Sequence, residues 1–222
     1  RAVRGTGKRI IVVQGATGCG KNTWAAYVVQ QAFLKGMRSL CIVHRRKLVE
    51  QITERLAQFN VPSTEYMRGR QYDAAYPAVV ASRDTISSRS LRNEWIDLPP
   101  ADLVIVDEAH HAANPDSEYR KILGDYPEAT ILLLSATPVG PDGQGLGPWA
   151  QAIECAAPTS KLVADGYLMG VKCYAPDRKR KGKRYLKGMA GDLGESWEQY
   201  AEDRPTILFC SRVKHSQDAV ES

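Results

Sequence analysis

The sequence predicts an α/β protein with a mostly parallel sheet. Short apolar runs rich in β-branched residues recur along the 222 residues, and segments with apolar residues at helical spacing alternate with them. Runs of this kind are typical of parallel strands that helices cover on both faces. Because ligands of such sheets bind at the carboxyl ends of the strands, we expect the functional residues directly after each strand.

The predicted elements begin with a strand, a glycine turn and a helix. The β-branched run 9–14 is the first strand, Gly15 stops it, and a helix is predicted for residues 21–35. Residues 39–44 form the next predicted strand. The helix after it is indicated by the helical spacing of Leu48, Ile52, Leu56 and Phe59. A turn follows at 60–63, and further strands are predicted at 78–82, 103–107 and 131–135.

The domain organisation is predicted from the change in composition after residue 139, where Gly and Pro become frequent. We interpret residues 1–165 as one complete domain, 166–204 as a linker, and 205–222 as the first strand and helix start of an incomplete second domain. The linker carries the basic run 178–184, which is either an arm that follows a phosphate backbone or a solvated connection.

Composition excludes a membrane-spanning protein. The chain is 43% hydrophobic and 25% charged, and no apolar run approaches the ~20 residues that cross a bilayer. Its basic start is not followed by a signal-peptide pattern. We therefore expect a cytoplasmic protein with five reduced cysteines and no membrane partner.

Charge is unevenly distributed along the chain. The net charge is +10 over residues 1–96, −8 over 97–165 and +3 over 166–222. Such segregation suits a protein that binds a polyanion with one surface and a metal–nucleotide pair with another. Solvated faces without a partner would give the same pattern, so charge alone leaves both readings open.

A phosphate-binding loop is predicted between the first strand and helix. The spacing of Gly15, Gly20 and Lys21 matches G-x-x-x-x-G-K. In such a loop backbone N–H groups surround phosphate oxygens, the helix dipole favours negative charge, and the lysine reaches the outer phosphates. The predicted nucleotide-binding residues are Gly15, Ala16, Thr17, Gly18, Cys19, Gly20, Lys21, Asn22 and Thr23.

Asn22 departs from this pattern, because a Ser or Thr hydroxyl that holds magnesium is expected there. Its amide oxygen is a neutral, hard ligand that could still contact the ion, directly or through water. Thr23 does not replace it, because one step along a helix rotates a side chain by ~100°. We expect weaker Mg²⁺–ATP binding, not its loss.

Acidic and hydroxyl residues follow two other predicted strands. Asp107 can hold magnesium, usually through water, and Glu108 can orient and deprotonate the attacking water. Ser135 and Thr137 end the following strand, where they could sense the acidic pair or simply cap a loop.

These segments together resemble the first motor domain of superfamily 2 helicases of the DEAH-box type. The matching strings are GATGCGKNT at 15–23, VHRRKLVEQ at 43–51, VDEAH at 106–110, SATP at 135–138 and TILFCSRVKH at 206–215. Segments 138–147 and 162–168 are most similar to XPB-like helicases of phages and prokaryotes. The resemblance covers almost the whole chain.

The resemblance implies two RecA-like domains with ATP between them and nucleic acid across both. It implies that Lys21 binds phosphates, that Asp107 binds magnesium, that Glu108 is the catalytic base, and that Ser135 and Thr137 couple hydrolysis to movement. DNA is favoured over RNA, and accessory replication or repair proteins are possible partners. The implied nucleic-acid contacts are His44, Arg45 and Arg46, with weaker matches at Arg70, Ser82 and Thr85.

Three alternatives stay open. A restriction-type translocase subunit or an RNA helicase would carry the same motor. The third is an ATP-binding nucleic-acid clamp with little turnover, suggested by Asn22 and by the motifs that the resemblance does not reach. The helicase motifs beyond 206–215, including the arginine finger, lie outside this chain, so we expect a fragment whose own ATPase activity is weak.

Overall fold

The computed structural model describes residues 7–140, 143–147, 149–172, 193–201, 204–207, 209, 212–214 and 216–217. For 193–196 the description is limited to the backbone. The chain divides into two compact units, Arg1–Met169 and Gly170–Ser222. The first unit contains all the predicted site residues.

The first unit is built on one seven-stranded, fully parallel sheet, which confirms the predicted α/β class. The strand order across the sheet is β3-β4-β2-β5-β6-β1-β7. The strands are β1 Ile10–Gln14, β2 Ser39–Val43, β3 Ser63–Tyr66, β4 Ala78–Ser82, β5 Leu103–Val106, β6 Thr130–Ser135 and β7 Ala152–Cys155.

Helices connect the strands and cover both faces of the sheet. In the first unit they are α1 Lys21–Phe33, α2 Arg46–Gln58, α3 Arg83–Ile86, α4 Glu118–Gly124 and α5 Thr159–Ala164. A π-helical turn, Ser87–Arg92, continues α3, and a 3₁₀ turn, Ala109–Ala112, follows β5. None of the described helices is long and apolar enough to cross a membrane.

The core explains why the central strands are apolar without interruption. Alternate residues of a strand point to opposite faces, and here both faces are buried. Ile10 and Val12 pack in one apolar cluster with residues of α4, whereas Ile11 and Val13 pack in the other with residues of α1 and α2. Every residue of β2 and of β4 is accordingly buried.

Several elements of the first unit are not predicted by the sequence; they are the strands β3 and β7, the short helices α3, α4 and α5, and the turns Ser87–Arg92 and Ala109–Ala112. The sheet's outermost strands, β3 and β7, are partly exposed, and their sequences STEY and AIEC lack a continuous apolar run. The predicted turn at 60–63 contains Asn60 at a positive φ of 55° but ends where β3 begins. The short helix α4 begins after Ser117, whose hydroxyl accepts a hydrogen bond from Arg120 N.

The second unit is described only in parts. It contains α6, Leu193–Tyr200, and helical residues at 213–214 and 216–217. Of the predicted strand 206–210, the described residues Thr206, Ile207 and Phe209 carry no strand. The basic run 178–184 lies outside the described residues. The boundaries 1–165, 166–204 and 205–222 therefore stay a prediction.

Candidate nucleotide site and nucleic-acid edge

The predicted site residues lie at or after the carboxyl ends of six strands, and the parallel sheet brings those ends to one edge. The strand order divides this edge into two halves. The half formed by β5, β6 and β1 carries the acidic pair, the Ser135 and Thr137 segment and the glycine loop. The half formed by β3, β4 and β2 carries the residues predicted to contact nucleic acid, which are His44, Arg45, Arg46, Arg70, Ser82 and Thr85.

The glycine loop spans the gap between β1 and α1. Gly15 N donates a hydrogen bond of 3.1 Å to Ser135 O, which fixes the start of the loop to the end of β6. Lys21 Nζ donates to Gly15 O at 3.1 Å and to Ala16 O at 3.2 Å. The ammonium group of Lys21 therefore lies at the loop to which a phosphate group would bind.

Glycine is required at several positions of this loop. Gly18 and Gly20 have φ values of +81° and +86°, a region that side chains with a Cβ rarely adopt. A Cβ on Gly15 would lie 2.8 Å from Cys19 Sγ and 3.4 Å from Lys21 Cγ. The loop is thus compact around the lysine, and Cys19 serves as a small packing residue within it.

Asn22 and Thr23 are the second and third residues of α1. Asn22 is half-buried and Thr23 is exposed. The two side chains differ in exposure, as the rotation of one helical step requires. The motif spacing makes Asn22 the residue at which a magnesium-binding hydroxyl is expected, and its role in metal binding stays a prediction.

The acidic pair lies directly after β5. Asp107 is 7% exposed, its backbone N donates to Ile42 O at 3.1 Å, and its Oδ1 accepts from Glu108 N at 3.0 Å. Glu108 has a positive φ of 50°, which is a strained conformation for a residue with a side chain. Backbone strain of this kind is concentrated at functional sites.

Lys21 and the acidic pair lie on the same half of the edge. Only β6 separates β1 from β5, so the two strands are about 10 Å apart at the usual spacing. Burial and the neighbouring Glu108 raise the pKa of Asp107, whereas the Glu108 N–H bond and the Lys21 charge lower it. The charge of Lys21 thus acts on Asp107 across this gap.

A network around His110 links the acidic pair to the end of β6. His110 Nδ1 lies 3.3 Å from Glu108 Oε2 and 3.4 Å from Ser135 Oγ. The Ser135 hydroxyl donates to Thr137 O at 2.9 Å and accepts from Thr137 N at 3.2 Å. A histidine that carries its proton on Nδ1 can donate it to the Glu108 carboxylate or to Ser135 Oγ, so which atom donates depends on the tautomer of His110.

Sequence reasoning did not name His110 as a site residue, although it belongs to the D-E-A-H string that was recognised. The D-E-A-H string is the sequence feature by which His110 could have been identified. Its role depends on the distance to Ser135 Oγ, and that distance follows from the pairing of β5 with β6.

The donors of this half fit a metal-bound triphosphate. The loop supplies backbone N–H groups and a lysine, and the opposite side supplies a buried carboxylate. Among the described residues, no group of three or more His, Cys, Asp or Glu could hold a metal ion alone. Magnesium in phosphoryl-transfer sites is usually held by one or two carboxylates together with the substrate's phosphates, which suits this arrangement.

Burial of Asp107 predicts a trade-off between stability and function. Because burial raises the pKa of Asp107, the folded protein holds this proton more tightly than the unfolded chain does. The stability that the bound proton provides is complete at low pH and is lost as pH rises through the folded-state pKa. We expect Asp107→Asn to raise the thermal midpoint at pH 7 without magnesium or nucleotide, since Asn keeps the acceptor for Glu108 N. Differential scanning calorimetry measures this.

The gain from Asp107→Asn should shrink as pH is lowered towards the carboxyl's titration range. The exposed Asp125 offers a matched control, because Asp125→Asn removes a carboxylate that is not buried. A midpoint that falls in Asp107→Asn at pH 7 would contradict the electrostatic explanation.

The other half of the edge carries exposed arginines. Arg45 is the residue that precedes α2 and Arg46 is its first residue, and both are exposed. Arg70 follows β3 through a tight turn, in which Met67 and Arg70 bond to each other's backbone, and it forms an ion pair with Glu65. All three arginines therefore present charge to solvent at this edge.

The remaining predicted nucleic-acid residues are less accessible. Ser82 and Thr85 are each 6% exposed. The ring of His44 lies 5.4 Å from the ring of His111, and its Nδ1 is buried. The proposed contacts with a nucleic-acid backbone thus rest chiefly on Arg45, Arg46 and Arg70.

Residues 2–140 match the sequence profile of the family described as ResIII, type III restriction enzyme, res subunit. This match covers more than half of the chain, and the chain belongs to that family. It confirms the predicted relationship to the N-terminal domain of superfamily 2 helicases.

Curated relatives are similar to this chain over part of their own length. An uncharacterized ATP-dependent helicase, YqhH, of Bacillus subtilis is 30% identical over 135 residues, which is 60% of this chain and 24% of that protein. A 51.5 kDa protein of a Lactococcus phage is 27% identical over 93% of this chain and 45% of its own length. Putative helicase 22 of a Sulfolobus islandicus filamentous virus is 32% identical over 54% of this chain and 22% of its own length. The chain spans less than half the length of these relatives.

Two solved structures show the RecA-like fold that was predicted. The UvsW helicase of bacteriophage T4 aligns with a TM-score of 0.53 and 17% identity over 66% of this chain and 54% of that structure. The Hef helicase domain of Pyrococcus furiosus aligns with a TM-score of 0.58 and 21% identity over 74% of this chain and 39% of that structure.

Proposed function

We propose that this chain is the first motor domain of an ATP-dependent helicase or translocase that acts on nucleic acid. The observation that carries the proposal is the division of one sheet edge into a nucleotide half and an arginine-bearing half. The ends of β2 and β5 are adjacent where these halves meet. A change at the nucleotide can therefore reach the nucleic-acid contacts over a short path.

In this mechanism each side chain has a separate task. Lys21 and the loop N–H groups bind the phosphates, and Asp107 with Asn22 would hold Mg²⁺, which neutralises charge on the phosphates. Glu108 orients the attacking water and accepts its proton. His110 holds the Glu108 carboxylate and connects it to Ser135 and Thr137, which respond when the γ-phosphate leaves.

Several finer assignments belong to the proposal. The D-E-A-H string supports the DEAH-box type, and the segments 138–147 and 162–168 support an XPB-like helicase with DNA as the substrate. Such a protein would work in the cytoplasm of a prokaryote or infected cell, together with replication or repair proteins. The second candidate is the translocating subunit of a restriction enzyme, which the description of the matched family favours.

The test is steady-state ATPase activity of a protein that contains both motor domains, with and without duplex DNA. A motor shows turnover that DNA stimulates. Tight ATP binding with little turnover under either condition would instead identify a nucleic-acid clamp. Forked, single-stranded and duplex substrates then separate a helicase from a restriction-type translocase, because only the former separates strands.

Asn22→Thr is expected to tighten Mg²⁺–ATP binding in the same protein. A hydroxyl replaces a larger amide at the metal position, and a gain of about 1 kcal/mol, the value of a typical hydrogen bond, corresponds to a roughly fivefold lower Kd. Titration calorimetry with and without Mg²⁺ measures the gain, and Thr23→Ser is the matched control. An unchanged affinity would show that Asn22 is already an adequate ligand.

A further inference from the structure

The two halves of the edge meet at a group of neighbouring side chains, four rings and one guanidinium, which we call the ring row: His44, His110, His111, Tyr119 and Arg83. His44 directly follows β2, and the paired histidines belong to the 3₁₀ turn after β5. The ring of His111 lies 4.3 Å from that of His110 and 5.4 Å from that of His44. His111 is thus in contact with residues that belong to both halves.

The ring row continues from His111 towards the end of β4. The rings of His111 and Tyr119 are almost parallel, with an interplanar angle of 7° and centroids 6.5 Å apart. On Tyr119 lies the guanidinium of Arg83, the residue directly after β4, at 5.5 Å from the ring centroid. Displacement of Arg83 would therefore reach His111 through the buried Tyr119 ring.

At its other end the ring row reaches the proposed catalytic base. His110, the immediate neighbour of His111, lies 3.3 Å from the Glu108 carboxylate. Glu108 itself is held at a positive φ, a conformation that persists only where the surroundings maintain it. A small rotation of the 3₁₀ turn would therefore move the Glu108 carboxylate.

Two buried polar atoms indicate that the arrangement is not fully satisfied. Within the described part of the chain, His44 Nδ1 and the Tyr119 hydroxyl are buried without a hydrogen-bond partner. An unsatisfied buried group costs about 1–3 kcal/mol, which would favour an arrangement that supplies either atom with a partner. Coupling between sites needs an element with two such arrangements.

Packing of the core does not explain His111, because its side chain is exposed. We propose that His111 is a positioning residue, which transmits occupancy of the nucleic-acid half at β2 and β4 to Glu108 through ring contacts. The inference rests on the proposed motor function. It assigns to His111 neither contact with ATP nor contact with nucleic acid.

The test compares two variants of His111 in the full-length protein. His111→Ala removes the ring, whereas His111→Phe keeps a flat ring that can lie against His44 and Tyr119. We expect His111→Ala to reduce the stimulation of kcat by duplex DNA at least fivefold, within the 5- to 150-fold range typical of coupled sites. Basal turnover and the KM for ATP should stay within about twofold, and His111→Phe should retain most of the stimulation.

Tyr76→Ala serves as the control, because this exposed aromatic precedes β4 and lies at the amino edge of the sheet. Equal stimulation in the parent and in His111→Ala would overturn the inference and leave the motor function intact. Loss of stimulation in both His111 variants would exclude ring contact as the cause. A parent that DNA does not stimulate would refute the proposed function and the inference with it.

Discussion

Glu108→Gln is expected to lower the kcat for ATP by about 10²- to 10⁴-fold, the range that a positioned general base contributes. Glutamine has the same shape as glutamate, so it can occupy the same strained position beside His110, but it cannot accept a proton from water. Nucleotide affinity should change little, because Glu108 is proposed to act on water and not on the phosphates. Single-turnover hydrolysis together with equilibrium binding separates the two effects.

A matched control for this variant is Glu128→Gln. Glu128 is an exposed carboxylate that precedes β6, at the opposite edge of the sheet from the site. Its replacement should leave kcat and nucleotide affinity unchanged. A Glu108→Gln protein that retains more than about a tenth of the parent kcat would assign proton transfer to another group.

Lys21→Ala is expected to raise the Kd for Mg²⁺–ATP about 10- to 150-fold. A hydrogen bond to a charged group contributes roughly 1.5–3 kcal/mol, which corresponds to that range. Lys21 Nζ bonds to Gly15 O and Ala16 O within the loop, so the ammonium is already placed at the loop before a phosphate binds. Titration with a slowly hydrolysed ATP analogue measures the change.

Lys35→Ala is the matched control, because Lys35 is an exposed lysine just beyond the other end of the same helix. It removes the same charge at a distance of about 20 Å along α1, given a rise of 1.5 Å per residue. Equal losses of affinity in both variants would indicate a general electrostatic effect. Such a result would contradict the assignment of Lys21 to the phosphate site.

The sequence predicts the central sheet well because that part is governed by burial. Strands β2 and β4 are buried on both faces, so each reads as a nearly continuous apolar run, which is typical of an interior strand of a parallel sheet. The glycine loop is also predictable, since positive φ at Gly18 and Gly20 and a close approach at Gly15 permit few other residues.

Edge elements are harder to predict from sequence. Strands β3 and β7 are held by pairing on one side only, and their partly exposed positions carry Glu65 and Glu154, which are not strand signals. Their positions are set by their pairing with β4 and with β1. That information lies in the fold and not in the local sequence.

Contacts between strands likewise could not be read from the chain alone. His110 and Ser135 are 25 residues apart and meet because β5 pairs with β6. His44 meets His111 because β2 pairs with β5. The motifs name the residues of the nucleotide site, whereas the sheet order determines which of them can act on each other.

The central claim is that Lys21 and the pair Asp107 and Glu108 face one another across a gap that fits a metal-bound triphosphate. A crystal structure with Mg²⁺ and a slowly hydrolysed ATP analogue measures this directly. The account predicts phosphate oxygens at the Lys21 ammonium and the metal between the phosphates and the Asp107 carboxylate. A nucleotide bound elsewhere, or a gap between these residues that stays closed to it at saturating concentration, would contradict the account.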